Sequence, residues 1–558
     1  MEKHILALQL SHLLGEEFSR EWVYSQIEIP KQDKLGDLAF PCFKLAAKFR
    51  KSPNEIAAEL APKLKHDIFA DAEPIKGYIN IFLDQNFIAA HTLKQVLSGH
   101  YGKHDFGTGK TIAIDLSAPN IAKPFSMGHL RSTIIGNSLA QIAEHCGYKT
   151  VKINYIGDYG TQFGKLLAAY QRWGDEKTVR QNPIAELNKI YVKFHEEAAK
   201  TPSLEDEGRQ WFKKLEQNEP EALKLWKWFK DASLEEFNKV YQLLGIKFDL
   251  TRGEAYYNDK MEAVVQLLKE RSLLEESDGA QVVHLDEESL PPCLIKKSDE
   301  TTTYATRDLT AAIDRYQSYS FSEALYVVGH EQSLHFHQVM QVLKKLQFPW
   351  ADNMKHISFG MMLQEGKKMS TRRGKTVLLE KVLEEAVHLA KKNIEEKNPT
   401  LTHKDKVAQQ VGVSAVIFHD LKHDRQNDVE FSLKDMLTFE GHTAPYLQYS
   451  CVRANSLLSK GGFNLQEASP SLLDENAWLL IKQLRAYPDV VKTAWKEYDP
   501  SKIAKYLLDL AKSFNQYYTV TKILQEDQLH ARLTLVYSFS QILKEGLSLL
   551  GIETPEAM

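Results

Sequence analysis

The stretch TIAIDL at residues 111–116 begins a succession of elements that decides the fold. Its apolar run predicts a buried strand, and a loop at 117–127 leads into a helix that is predicted from about 128 to 147. The next strand is predicted at 151–154, where the sequence reads VKIN. Strand, loop, helix and strand in this order form a βαβ unit, which implies a parallel sheet.

The residues before this unit predict a separate module. Ser52-Pro53-Asn54-Glu55 is a capping box with proline at the first helical position, so a helix should continue to about Lys65. The alternating segment 77–83 predicts a half-buried strand. We therefore expect an α+β domain over residues 1–106.

The residues after the unit predict an interrupted sheet and a helical end. Residues 165–290 are charged and mostly helical in period, which indicates an insertion. Strands are predicted at 324–328 and 356–360, with a helix at 334–346 between them, and only helices are predicted from about 400 onward. We therefore expect an α/β domain at 107–400 and an all-α domain at 401–558.

Composition excludes several classes of protein. The chain has 558 residues, of which 43% are hydrophobic and 26% charged, and this excludes a disordered or low-complexity protein. No apolar run reaches the ~18 residues of a membrane span, and the amino terminus lacks signal-peptide features, so we expect a cytoplasmic protein without membrane contact. Because the net charge is −4, any nucleic acid must be bound by local basic patches.

Three sequence patterns resemble motifs of other functional sites, but each lacks residues or a spacing that the motif requires. FGTGKT at 106–111 lacks the first glycine of a phosphate-binding loop and precedes a strand instead of a helix. His419 and His423 are four apart, but Asp420 stands where a zinc protease has glutamate. The four cysteines are far apart in sequence, so no zinc or redox spacing exists. We expect no structural metal.

The loop after the first strand carries groups that suit a nucleotide. It lies at the carboxyl end of a parallel strand, where open α/β sheets bind ligands. His129 lies at the amino end of the following helix, whose free N–H groups and dipole favour phosphate. Gly128 allows a ligand to approach the backbone closely. A structural loop that only caps the helix is the plain alternative.

A second loop favours the phosphate interpretation. The segment 361–376 carries five basic residues and one acidic residue, flanked by glycines. A charge run of this kind is usually a solvated surface loop. Two phosphate-suited loops at corresponding ends of one split sheet are, however, much rarer than either loop alone.

Both loops resemble signatures of a known family. The first resembles the HIGH string of class I aminoacyl-tRNA synthetases, and Lys368-Met369-Ser370-Thr371-Arg372 resembles their KMSKS string. Longer strings are similar to those of arginyl-tRNA synthetases: SAPNIAKP at 117–124, IGDYGTQFG at 156–164, YATRD at 304–308, QSLHF at 332–336, TAPYLQY at 443–449 and LLGI at 549–552. The resemblance implies an α+β N-terminal domain that contacts tRNA, a Rossmann-like catalytic domain with a parallel sheet and a helical insertion, and an all-α anticodon-binding domain.

The resemblance also implies the reaction. ATP and L-arginine would give arginyl-adenylate and pyrophosphate, and the arginyl group would then pass to the 3′-terminal adenosine of tRNA(Arg). Mg²⁺ is expected with the ATP. By resemblance, the residues that hold ATP and the leaving pyrophosphate are Lys123, Ser126, Gly128, His129, Lys368, Met369 and Ser370.

Two residues depart from the family pattern. Ser126 stands where the first His of the HIGH string is expected, and Thr371 replaces the second Lys of the KMSKS string. Serine cannot become cationic, so phosphate stabilisation is expected to be weaker or reshaped. In many arginyl enzymes a lysine of the upstream loop is thought to substitute for the missing one, and our hypothesis is that Lys123 supplies this charge.

Several residues are expected to recognise the amino acid. A guanidinium is planar with five donors and pairs well with carboxylates. By resemblance, the arginine side chain would be contacted by Asp115, Tyr304 and Asp308, and its α-amino and carboxylate groups would be held by Asn120 and Gln332. A carboxylate at a helix start, such as Asp308, can also simply interact with the helix dipole.

The helical C-terminal part is expected to bind RNA. Residues 441–466 carry Tyr446, Tyr449 and Arg453 and no carboxylate. Aromatic and arginine faces stack on unpaired bases, although tyrosines can equally pack inside a helical bundle. The resemblance makes this part the anticodon-binding domain, with Tyr517 and Met558 as further tRNA contacts. We expect a monomer.

Two other interpretations remain open. Ser126 is compatible with a catalytically weakened paralogue that only binds RNA. A class I synthetase for another cationic amino acid, with lysine as the obvious competitor, would also need carboxylates. Two-carboxylate geometry nevertheless suits a guanidinium better than an ammonium group.

Overall fold

The computed structural model of the protein describes residues 2–299, 301–368, 377–471 and 475–558. The chain divides into two compact units. The first comprises residues 1–101, 454–486 and 512–541, and the second comprises residues 102–453, 487–511 and 542–558. The domain boundaries expected from the sequence stay a prediction.

The amino-terminal part is an α+β module. Its elements are α1 (Glu2–Leu14), α2 (Arg20–Gln26), β1 (Leu38–Pro41), α3 (Ala46–Phe49), α4 (Pro53–Leu60), β2 (Phe69–Ile75), β3 (Tyr78–Leu83) and α5 (Gln85–Leu97). The strands form an antiparallel sheet in the order β1-β3-β2.

The predicted capping box opens α4. The Glu55 N–H donates to Ser52 Oγ, and the Ser52 N–H donates to the Glu55 carboxylate. The helix ends at Leu60, earlier than the predicted Lys65, and a 3-10 turn follows at 61–63. Pro62 explains the early end, because it has no N–H to donate to the preceding turn.

A five-stranded parallel sheet lies at the centre of the second unit. The order is β11-β10-β4-β5-β6, and the predicted βαβ unit supplies the middle strand, β4, and its neighbour β5. The elements of this part are β4 (Thr111–Asp115), α6 (Met127–His145), β5 (Lys149–Ile156), α7 (Thr161–Trp173), α8 (Glu176–Gln181), α9 (Pro183–Ala198), α10 (Ser203–Glu216), α11 (Pro220–Leu243), β6 (Leu250–Gly253), α12 (Met261–Glu270), β7 (Glu275–Ser277), β8 (Ala280–Val283), β9 (Cys293–Lys296), α13 (Tyr304–Tyr319), β10 (Glu323–Tyr326), α14 (Ser333–Lys345), β11 (Met354–His356), β12 (Met362–Gln364) and β13 (Lys367–Lys368).

The region predicted as a helical insertion contains more β-structure than expected. Five helices, α7 to α11, occupy its first part. β6 then returns to the main sheet and pairs with β5, with Leu250 opposite Ile153. β7, β8 and β9 form a separate antiparallel sheet. These strands have only three or four residues each, which is too short to show a period of two in the sequence.

The strand predicted at 356–360 is shifted towards the amino terminus. β11 covers Met354–His356, and the apolar residues after it form isolated contacts instead of a longer strand. Phe359 bridges to Gly329, and the Gly360 N–H donates to the Arg425 carbonyl (2.9 Å). A Cβ on Gly360 would lie 2.5 Å from the Asn427 carbonyl oxygen, so glycine is required where these segments meet.

The C-terminal part is helical apart from one short strand. Its elements are α15 (Leu379–Lys397), α16 (Lys404–Leu421), β14 (Val429–Glu430), α17 (Leu433–Met436), α18 (Ala444–Lys460), α19 (Glu475–Glu497), α20 (Ser501–Val520) and α21 (Leu529–Leu549). β14 pairs with β12, so strand pairing extends past residue 400, where only helices were predicted. Across the described ranges, no helix combines the length and apolarity that crossing a bilayer requires.

Candidate active site

A contact between Ser126 and His129 organises the amino end of α6. Ser126 caps the helix, and its N–H donates to His129 Nδ1 (3.1 Å). Because Nδ1 accepts this bond, the proton of the neutral imidazole lies on Nε2. Burial, together with the nearby Lys123 ammonium, lowers the pKa of His129 to about 4. His129 is therefore neutral near pH 7 and offers an Nε2–H donor.

Lys123 lies close to this end of α6. Its Nζ is 5.7 Å from the ring centroid of Tyr191 on α9, and burial lowers the pKa of the half-buried ammonium. Burial lowers the pKa values of His129 and His195, and the charge of Lys123 contributes to both shifts. A cation is thus placed beside the helix end that suits phosphate.

Helix α11 holds the loop between β4 and α6. Ser117 and Ala122 have φ angles of 71° and 56°, a region that strains residues other than glycine. The Ser117 hydroxyl is 2.9 Å from the Tyr241 hydroxyl, and the Ala122 N–H donates to Ser233 Oγ (2.9 Å). Both partners belong to α11, so the inserted helices fix the shape of the predicted nucleotide loop.

Asn120 lies where the loop approaches the end of β5. Its backbone bridges in parallel to Gly157, supported by a bond from the Ile121 N–H to the Gly157 carbonyl (3.0 Å). A Cβ at position 157 would lie 2.2 Å from Asn120 Oδ1. Glycine at 157 therefore allows the Asn120 side chain to lie directly on the chain beyond β5.

Asp115 is already paired with a cation of the chain itself. Its carboxylate is 2.8 Å from the guanidinium of Arg315 on α13, and both side chains are almost fully buried. The guanidinium lies 5.0 and 5.3 Å from the rings of Tyr155 and Tyr326. Burial raises the pKa of Asp115, while Arg315 acts in the opposite direction.

Asp308 lies in a more open position on the same helix. Tyr304, the first residue of α13, is 60% exposed, and Asp308 follows one turn later. The Asp308 carboxylate contacts His335 Nε2 of α14 at 2.6 Å. Gln332 is exposed and directly precedes α14, three residues before His335. Of the two predicted guanidinium carboxylates, Asp308 is the accessible one.

Buried polar residues that sequence reasoning missed surround these carboxylates. Glu254 lies 3.7 Å from Arg307, and burial raises the pKa of Glu254 to about 7. Among the described residues, the buried Tyr155 hydroxyl has no hydrogen-bond partner. Burial raises the pKa of Tyr155, and the carboxylates of Asp308 and Glu254 raise it further. Of the missed residues near the site, only Arg315 could have been found from the sequence. It follows Asp308 by seven residues and therefore lies on the same face of the helix.

The second loop returns directly to the amino end of α6. The Leu378 backbone forms an antiparallel bridge with Ser126. On either side, the Met127 N–H donates to the Val377 carbonyl (3.3 Å) and the Leu379 N–H donates to the Phe125 carbonyl (3.0 Å). Met369, Ser370 and the side chain of Lys368 lie outside the described part of the chain.

The predicted tRNA contacts differ in accessibility. Tyr449 is 44% exposed and carries the Arg453 guanidinium 4.9 Å from its ring centroid, while Tyr446 is half-buried. The Met558 carbonyl accepts a hydrogen bond from Asn398 Nδ2 (3.1 Å). Tyr517, by contrast, is only 1% exposed, so its side chain packs in the core and is not presented to a ligand as the sequence suggested.

His419 of α16 has a structural partner. His419 Nε2 lies 2.8 Å from the Glu430 carbonyl oxygen. Asp420 forms a buried ion pair with Arg131 of α6 (3.0 Å). Among the described side chains, no group of three or more His, Cys, Asp or Glu is placed to hold a metal ion.

Three family descriptions match successive parts of the chain. "Arginyl tRNA synthetase N terminal domain" matches residues 3–83, and "tRNA synthetases class I (R), catalytic domain" matches residues 92–433. "DALR anticodon binding domain" matches residues 447–558. The catalytic match contains β4, α6 and α13, which carry the candidate site.

Full-length relatives agree with these matches. The chain is 54% identical to arginine–tRNA ligase 2 of Bacillus anthracis over 99% of both chains, and 51% identical to the arginine–tRNA ligase of Exiguobacterium sibiricum over the whole of both. The solved arginyl-tRNA synthetase of Thermus thermophilus is similar with a TM-score of 0.81, at 26% identity over 100% of both chains. The chain therefore belongs to the class I arginyl-tRNA synthetase family.

Proposed function

We propose that this arginine–tRNA ligase works in two steps at the carboxyl edge of its parallel sheet. The carboxylate of L-arginine attacks the α-phosphorus of ATP, and the bond to pyrophosphate breaks. A hydroxyl of the 3′-terminal adenosine of tRNA(Arg) then attacks the arginyl carbonyl, and AMP leaves. Since the arginine carboxylate is the nucleophile, the protein contributes positioning and charge stabilisation.

The accessible carboxylate of Asp308 is the observation that carries the choice of arginine. Asp115 faces Arg315 at 2.8 Å, so its charge is largely balanced, while Glu254, 3.7 Å from Arg307, has a pKa raised to about 7 by burial and is only partly ionised near pH 7. Asp308 faces the imidazole of His335 and lies one helical turn from the exposed Tyr304. One accessible negative charge beside an aromatic ring matches the single positive charge of a guanidinium. Asp115, although paired with Arg315, lies close enough to Asp308 for the two carboxylate charges to interact, and it would line the same pocket.

The two ends of the substrate are held by different elements. Asn120, at the bridge to Gly157, and Gln332, before α14, would bind the α-amino and carboxylate groups of arginine. A site built on such hydrogen bonds discriminates strongly against analogues that lack the matching group, because its polar side chains would then be left unpaired.

The ATP phosphates would lie at the amino end of α6. His129 Nε2–H and the backbone at Gly128 would donate to phosphate oxygens, Ser126 would hold the imidazole, and Lys123 would supply positive charge. The leaving pyrophosphate would be held by Lys368, Met369 and Ser370 of the second loop. The described donors fit phosphate and not a cation, so Mg²⁺ would be carried by the phosphates of ATP themselves.

The RNA contacts are assigned to the helical part and the amino-terminal domain. Contacts to tRNA(Arg) would be made by Tyr446, Tyr449, Arg453 and the terminal Met558.

The domain boundaries that we propose are 1–106, 107–400 and 401–558. We further propose that the protein is a cytoplasmic monomer, which gel filtration with light scattering and cell fractionation would test.

Aminoacylation of total tRNA with each of the twenty labelled amino acids tests the proposal. Only arginine should be attached, and only in the presence of ATP and Mg²⁺. Asp308→Asn should abolish charging while leaving the fold intact by circular dichroism. Charging with lysine would support the other cationic substrate, and tRNA binding without any charging would support the RNA-binding paralogue suggested by Ser126.

A further inference from the structure

The Asp308 carboxylate has one side-chain partner among the described residues, and that partner has no part in the reaction proposed so far. His335 Nε2 lies 2.6 Å from Asp308 Oδ2, and this contact joins α14 to α13. The side chains of His335 and Asp308 remain 24% and 21% exposed, whereas those of Arg315 and Asp115 are 2% and 7% exposed. A substrate can therefore reach Asp308 while His335 stays in contact with it.

We propose that His335 is a positioning residue that orients the Asp308 carboxylate for the guanidinium of the substrate. The inference rests on the proposed function, because it concerns the same pocket. A carboxylate oxygen accepts two hydrogen bonds, so the imidazole uses one acceptor position of Oδ2 and leaves Oδ1 and the rest of Oδ2 available. These remaining positions suit the two parallel N–H groups of a guanidinium fork.

The need for such an anchor follows from the flexibility of aspartate. The terminal torsion of an aspartate side chain is broad, so the plane of an unrestrained carboxylate is poorly defined. Two-point binding of a planar group requires the two planes to coincide. A hydrogen bond from a second helix removes this freedom before the substrate arrives.

The position of His335 also couples the two ends of the substrate. Gln332 is the residue before the first turn of α14, and His335 follows it by three residues. The carbonyl of an N-cap residue accepts the first hydrogen bond of its helix, so the cap is tied to the first turn. The start of α14 would thus place both a group for the α-amino and carboxylate end of arginine and the anchor for its side-chain end, so a shift of α14 would move them together.

The test compares two amides at position 335. In His335→Gln the side-chain nitrogen reaches approximately the place of Nε2, whereas in His335→Asn it reaches only that of Nδ1. His337→Asn, an exposed histidine on the same helix, is the matched control. Steady-state aminoacylation of tRNA(Arg) by the full-length protein gives kcat and the KM values for arginine and ATP.

His335→Asn should raise the KM for arginine by about tenfold or more, as expected when a hydrogen bond to a charged group is lost, with kcat and the KM for ATP nearly unchanged. His335→Gln should restore the KM for arginine to near the wild-type value, and His337→Asn should match wild type throughout. An unchanged KM in His335→Asn, or equal impairment in the glutamine variant, would overturn the proposal. Failure of the wild-type protein to charge tRNA would instead overturn the proposed function.

Discussion

The backbone of Ser126 pairs with that of Leu378, which joins the start of α6 to the chain that returns from the second loop. The bond from the Leu379 N–H to the Phe125 carbonyl continues this contact (3.0 Å). The two nucleotide loops are far apart in the sequence, yet their ends share a short two-stranded contact. Their relative position is therefore fixed at this point.

Leu379→Pro should loosen this junction without disturbing the helix that follows. Leu378 has φ −73° and ψ 127°, which a residue before proline prefers, and proline is favoured at the first position of a helix. The substitution removes the donor to Phe125 together with a buried leucine side chain. Leu379→Ala is the control, because it removes most of the side chain and keeps the N–H.

Both variants should be less stable by roughly 2–5 kcal/mol, the usual effect of truncating a buried leucine. Only the proline variant should also raise the KM for ATP, which ATP–pyrophosphate exchange in the presence of tRNA measures. Equal KM values for ATP in the two variants would show that the junction does not position the loops.

Lys123→Ala should slow ATP–pyrophosphate exchange by about 10²-fold, the order found when one stabilising group is removed from an active site. The reason is that Lys123 places a positive charge beside His129. Lys189→Ala, which removes an exposed lysine on the helix that carries Tyr191, should leave the rate unchanged. An unchanged rate in Lys123→Ala would remove this lysine from the proposed role.

Acid should destabilise the wild-type protein more than His129→Asn. The pKa of His129 is lowered to about 4 in the folded protein, against about 6.5 in an unfolded chain. Between these values the unfolded chain binds more protons, so the free energy of unfolding falls as the pH falls from 6.5 towards 4. Asparagine does not titrate, and its Oδ1 can still accept the Ser126 N–H.

Urea denaturation at pH 7.5, 6.0 and 5.0 measures this difference. Two partly buried carboxyls, Glu254 and Glu545, have pKa values raised to about 7 and act in the opposite direction over the same range. The quantity to compare is therefore the difference between wild type and variant, which should shrink as the pH falls. A constant difference would mean that His129 is not held neutral in the fold.

The elements that could be predicted from the sequence are those that a few neighbouring residues encode. The capping box at Ser52 and the strand before Ser117 are encoded within a few neighbouring residues, and both are present in the structure. β6 and β14 escaped prediction because strands of four and two residues show no periodicity.

The contacts inside the pocket escaped prediction for a different reason. The pairs Asp115–Arg315 and Asp308–His335 join separate elements, so the sequence could suggest Asp115 and Asp308 as site residues but not the residues that they contact. Tyr517 illustrates the same limit within one helix. It is buried while its neighbour Tyr518 is 40% exposed, because a step of one residue turns the side chain by about 100° around the axis.

Tyr449→Ala should weaken the binding of tRNA(Arg), while Tyr449→Phe should retain most of it. The exposed ring of Tyr449, with the Arg453 guanidinium 4.9 Å away, offers a stacking surface for an unpaired base. Loss of one base–aromatic stack is worth about 1–3 kcal/mol, or about 5- to 150-fold in the dissociation constant. Phenylalanine keeps the aromatic face and loses only the hydroxyl, so it separates stacking from hydrogen bonding. Filter binding with a tRNA(Arg) transcript measures both variants, and wild-type affinity in the alanine variant would place the RNA on a different surface of the protein.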